Sequence, residues 1–299
     1  MKRCLILPLC LVTLSVVAGC WRRETRTLLE AKRGFQTQVV RQEDDREAVV
    51  APPKGLFNLV EYKSPVGMLP AYLTPPTKDG KKHPAIIWIT GGDSNSIGEA
   101  WGPDDPQNDQ SARAFRQAGV VMLFPALRGG NTTTSRKESF FGEVDDVLAA
   151  ADFLAKQPHV DPKRIFLGGH STGGTLVLLV AESSNRFRAV FCFGPVSDVS
   201  GYGGQYLTCA LTDQELRLRS PGNWLHGIKS PTFVFEGDLE GNGEDLQAMQ
   251  RSNSNPQVHF QLIRGYSHFS ILAPMNQKLA QSVAQDRGTG SFTLPPLPQ

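Results

Sequence analysis

Arg164-Ile-Phe-Leu-Gly-Gly-His-Ser-Thr-Gly-Gly-Thr-Leu-Val-Leu-Leu-Val180 decides the fold. Arg164 to Gly168 reads as a short buried strand and Thr175 to Val180 as an apolar helix, with Gly169-His170-Ser171-Thr172-Gly173 between them. A serine on a sharp turn between strand and helix needs small neighbours, because side chains at positions 169 and 173 would collide with the turn. That geometry sets the Ser171 hydroxyl at the carboxyl edge of a sheet. It also puts the Thr172 N–H at a helix N-terminus, where it can donate to developing negative charge.

Working outward, strand and helix patterns alternate. Leu59–Lys63 and Met68–Leu73 read as strands joined by Ser64-Pro-Val-Gly67, which predicts an antiparallel hairpin. Ala85–Ile89 is a continuous apolar run of the kind buried on both faces of a sheet. Helices are expected at Ser111–Ala118, Gly142–Gln157, Thr172–Glu182, Asp245–Arg251 and Gln277–Gln285, and strands at Val120–Phe124, Arg188–Phe193, Thr232–Glu236 and Val258–Ile263. Such alternation with short links predicts an α/β domain, a mostly parallel twisted sheet with helices on both faces, over residues 56–299.

A serine hydroxyl is a weak nucleophile without a base. His268, in Arg264-Gly-Tyr-Ser-His268 beyond the last strand, is placed to reach Ser171 by a loop; His170, on the turn itself, is expected as a pocket wall. The imidazole in turn needs a carboxylate, expected on the loop after Thr232–Glu236. Asp238, Glu240, Glu244 and Asp245 compete there. No metal-ligand spacing, phosphate loop or dinucleotide fingerprint occurs, so neither metal nor cofactor is expected. Cys192, in an apolar run, reads as a packed thiol rather than half of a disulfide with Cys209.

The chain has 299 residues, 40% hydrophobic and 20% charged, with a net charge of +2. Both excess positive charges are accounted for by Lys2 and Arg3, which precede the apolar run Cys4–Val17. This is the layout of a secretory signal peptide over residues 1–19. Without it the charge is zero and no basic block remains, so nucleic acid is not an expected partner. Val17-Ala18-Gly19-Cys20 resembles the lipobox of bacterial lipoproteins, which implies export to a bacterial cell envelope and a lipid anchor on Cys20 in a membrane. Residues 20–55 are polar and mixed in charge and read as a solvated tether.

From Leu59 onward the chain resembles the catalytic domain of the prolyl oligopeptidase family of α/β-hydrolases. Asp161 to Gly174 is similar to that family's segment through its serine, Phe141 to Ala150 to its upstream helix, and Gly265 to Phe269 to its histidine loop. The resemblance implies a serine hydrolase acting on a small ester or peptide, with Ser171, His268 and Glu240 as triad and the N–H groups of Gly92 and Thr172 as oxyanion donors. Glu240 is favoured because the family's acid sits three residues after the glycine ending this strand. Thr90 stands where members often carry histidine, and Thr172 where tyrosine is common. There is no room for the propeller of the larger members; Val199–Lys229 is expected as a small lid, with Tyr202, Tyr206 and Trp224 available to line it. The rival expectation is a catalytically silent scaffold serving as a membrane-anchored binding protein. It requires that no carboxylate reach His268.

Overall fold

A computed structural model describes residues 26–42, 47–102, 104–131 and 133–295. In chain order the elements are α1 (Leu28–Lys32), β1 (Asn58–Ser64), β2 (Gly67–Leu73), β3 (His83–Ile89), α2 (Ala114–Gln117), β4 (Val121–Pro125), α3 (Glu143–Ala155), β5 (Val160–His170), α4 (Thr172–Ser183), β6 (Val190–Phe193), α5 (Asp213–Arg219), β7 (Thr232–Gly237), α6 (Gly243–Ser252), β8 (Val258–Ile263) and α7 (Leu272–Gln285). The eight strands form one sheet in the order β1-β2-β4-β3-β5-β6-β7-β8. From β4 to β8 all pairs are parallel, and β1, β2 and β4 pair antiparallel.

The apolar runs supply both faces at once. Along β3, Ala85, Ile87 and Ile89 join one core while Ile86 and Trp88 join the other; along β6, Val190 and Cys192 oppose Phe191 and Phe193. Period-two alternation in a continuously apolar strand is what a sheet covered on both sides demands. The first core holds α3 and α4, and the second holds Phe115 and the apolar face of α7.

Two helix starts differ from expectation. The helix expected from Ser111 begins only at Ala114, because Ala112 has φ 45° and Ser111 is held by Asp104 and Asp109. Helix α7 starts at Leu272, five residues early; Pro274 falls in its first turn, where no N–H is needed. Cys192 and Cys209 are buried free thiols.

The larger correction concerns the expected tether. Its described part, residues 26–42 and 47–55, includes a segment that lies on the domain. Helix α1 is closed by a Thr27–Glu30 capping box and places Leu28, fully buried, in the first core. Lys32 Nζ donates to Phe141 O at 2.7 Å and sits 4.5 Å from that ring's centroid, and burial lowers its pKa. Gln38 N donates to Glu215 Oε1 at 2.6 Å, and Val39 bridges to Cys209. A few apolar and hydrogen-bonding groups outweigh a polar average when they share one side of a short segment. The signal residues and Cys20 lie outside the described residues.

Candidate active site

Ser171 follows directly on β5 and opens α4. Its φ is 55° and ψ −117°, a strained conformation for a side-chain-bearing residue, pinned by Ser171 N donating to Phe193 O at 2.8 Å. The close approach is paid for by glycine: a Cβ on Gly173 would stand 2.3 Å from Ile89 O. Among the described residues the Ser171 hydroxyl has no hydrogen bond, and catalytic contacts of this kind often tighten only around substrate.

His268 sits on the loop between β8 and α7, 8% exposed. Its Nδ1 lies 2.8 Å from Glu236 Oε2. A carboxylate accepts, so Nδ1–H donates and Nε2 is left to take a proton. Glu236 is fully buried near the end of β7; its oxygens also accept from Gly237 N at 2.9 Å and Asn242 N at 3.1 Å. Gly194 (φ 55°) lets this pair close up, since a Cβ there would stand 2.4 Å from His268 Cε1.

Glu240 is therefore not the partner of His268. It is exposed on the loop after β7. That loop turns outward through Gly241 (φ 108°), whose backbone occupies the space beneath His268: a Cβ there would lie 2.7 Å from His268 Cβ. Of the other candidates, Asp238 accepts from Gly265 N at 2.7 Å, Asp245 accepts from Ser197 N at 2.7 Å, and Glu244 is exposed in the first turn of α6. Glu236 was missed because it closes an apolar strand. A carboxylate ending Thr232-Phe-Val-Phe was itself the available signal, since a buried acid at a strand's carboxyl end needs a partner.

Gly92 (φ 104°) lies on the loop after β3, tied to the serine turn by Thr172 Oγ1 donating to Gly92 O at 2.6 Å. The N–H groups of Gly92 and Thr172 meet no acceptor among the described residues. Both residues line a cavity of about 150 Å³ walled by Phe124, Phe140, Leu176 and Tyr202. Its wall is itself strained, Ser139 and Phe140 having φ of 49° and 77°. Arg219 Nε holds that corner by donating to Ser139 O at 2.9 Å. Glu143, 2% exposed, also borders the cavity and accepts from Glu138 N at 2.7 Å; burial raises its pKa. Tyr202 and Tyr206 line the cavity as expected of the 199–229 excursion, but Trp224 does not. It is 1% exposed in the first core, donating to Arg217 O at 2.8 Å.

His170 is fully buried beneath His268, their ring centroids 4.5 Å apart. Burial, then the neighbouring His268, lowers its pKa to about 3. Among the described residues no group of three or more His, Cys, Asp or Glu side chains could hold a metal ion.

The sheet order, the strained serine between β5 and α4, and the histidine loop after β8 define the class: this chain has the α/β-hydrolase fold. Residues 106–223 match the model of the prolyl oligopeptidase family. The matched stretch contains Ser171 and stops short of Glu236 and His268. Dipeptidyl-peptidase 5 of Porphyromonas gingivalis is 29% identical over 208 residues, 61% of this chain and 29% of that protein. Among solved structures, a Mycobacterium tuberculosis puromycin-hydrolyzing peptidase superposes with TM-score 0.64 at 17% identity, over 82% of this chain and 41% of that one. The 2,6-dihydroxy-pseudo-oxynicotine hydrolase gives 0.63 at 18% identity, over 84% and 73%. The chain spans less than a third of the first curated relatives it matches, 18% and 29% of their lengths.

Proposed function

We propose that this protein is a serine hydrolase that cleaves an ester or peptide bond through an acyl-enzyme on Ser171. The observation that carries this reading is the 2.8 Å contact of His268 Nδ1 with Glu236 at the same sheet edge as the strained Ser171. In the proposed reaction His268 Nε2 takes the hydroxyl proton as Ser171 Oγ attacks the substrate carbonyl. The oxyanion is held by the N–H groups of Gly92 and Thr172, and Glu236 stabilises the imidazolium. The imidazolium then gives its proton to the leaving alcohol or amine, and water repeats the sequence to release the acid. The cavity beside Thr172, of about 150 Å³ with apolar and polar walls, suits a small acyl or side-chain group. The silent-scaffold alternative draws no support from a histidine that has its carboxylate.

A fluorophosphonate probe is expected to label the wild-type protein and not Ser171→Ala; a folded wild type that never labels would sink the proposal. Rates on p-nitrophenyl esters and aminoacyl-naphthylamides then separate esterase from peptidase. We further propose that Cys20 carries lipid and anchors the domain to a bacterial envelope membrane, supported by Val17-Ala18-Gly19-Cys20. In a bacterial host Cys20→Ala should abolish incorporation of an alkynyl fatty acid and release the protein from membranes. Acylation of the variant would count against it.

A further inference from the structure

Two loops that meet at the proposed catalytic centre, residues 90–92 and 265–271, are joined by side chains that the reaction above does not use. Gly91 N donates to Gln110 Oε1 at 3.1 Å. Gln110 Nε2 lies 2.7 Å from His170 Nδ1, and His170 Nε2 lies 3.0 Å from the carbonyl oxygen of His268. Each end of this chain is a backbone group with a single role, which fixes the direction of every bond between them. A backbone N–H only donates, so the oxygen of the Gln110 amide faces Gly91 and its NH2 faces His170. A carbonyl only accepts, so the His170 proton is on Nε2, and Nδ1 is left to accept from Gln110. Both ends require the same neutral tautomer.

We infer that Gln110 and His170 form a positioning brace that sets the oxyanion loop and the His268 loop in register across Ser171. The inference deepens the hydrolase reading and rests on it. Packing agrees with the hydrogen bonds: a Cβ on Gly91 would touch His170 Nδ1 at 3.0 Å, and Phe269 packs its ring 5.5 Å from His170 and 4.9 Å from His268. With its ring fully buried, His170 stays neutral at working pH, so the brace keeps one arrangement and adds no charge beside the imidazolium formed during reaction.

The brace has a readout independent of turnover. In the 15N-histidine NMR spectrum of the intact protein, the signals missing in His170→Phe should show an Nε2–H imidazole unchanged from about pH 5 to 9. Gln110→Glu keeps an acceptor for Gly91 N–H but replaces the donor to His170 by an acceptor. It should put a proton on Nδ1 and lower kcat on a p-nitrophenyl ester at least about tenfold, with KM within about threefold, the pattern of lost transition-state geometry. An Nδ1–H tautomer in the wild type, or Gln110→Glu turning over at the wild-type rate, overturns the brace. Should His170→Phe not fold, Gln110→Glu and the wild-type spectrum still decide. A wild type that neither labels nor turns over fails the hydrolase reading instead, while the tautomer measurement still tests the hydrogen bonds.

Discussion

Glu236 reaches His268 from within a strand, and its length is the reason that works. The glutamate side chain spans the gap from the end of β7 to a loop arriving after β8, and Gly237 N and Asn242 N fix its carboxylate on arrival. Glu236→Gln should lower kcat/KM on the order of 10³–10⁴-fold, as expected when an imidazole loses the carboxylate that orients it. Glu240→Gln, at an exposed site, should stay within about twofold. Equal effects at both positions would return the role to the loop. His170 makes a separate prediction about stability. Its folded pKa of about 3 lies below the ordinary 6.5 because of burial. Below about pH 6.5 the unfolded chain binds a proton that the folded chain refuses, so stability falls as pH drops from 6.5 toward 3. Thermal melts should show that loss in the wild type and a shallower one in His170→Phe.

At the scale of elements, α5 is a fastener more than a lid. Arg219, fully buried, donates to Glu215 on the same helix, to Thr37 Oγ1 on the N-terminal segment at 2.5 Å, and to Glu138 O and Ser139 O beside the cavity. The guanidinium thus ties three stretches distant in sequence, including the strained pair that walls the pocket. Glu215→Ala would leave that charge without its carboxylate and should cost about 3–5 kcal/mol in urea denaturation. An unchanged midpoint would show that the backbone acceptors suffice. The 106–223 family match ends at this fastener, whereas the histidine and its carboxylate come from elements further on.

For the whole molecule, residues 26–42 of the N-terminal stretch pack on the domain. Leu28 fills a fully buried site in the first core, and Leu28→Ala should cost about 2–5 kcal/mol, read from denaturant midpoints. If Cys20 is lipidated as proposed, the chain between it and Arg26 can extend at most roughly 20 Å, which would hold the domain close to the bilayer. The sheet and the serine turn were legible in the sequence because both are local: apolar runs specify strands buried on two faces, and Gly169 to Gly173 carry their own steric demand. Boundaries moved where local rules compete, as at Pro274 and Ala112. The acid, the brace and the docking of residues 26–42 were not legible, since each joins groups far apart in the chain: Glu236 with His268, Gln110 with His170, Thr37 with Glu215. The sequence by itself determined an α/β sheet with a serine on a strained edge turn. Only the tertiary structure decided which carboxylate meets His268 and where the polar N-terminal stretch lies, because composition averages over residues while packing selects the few that share one side.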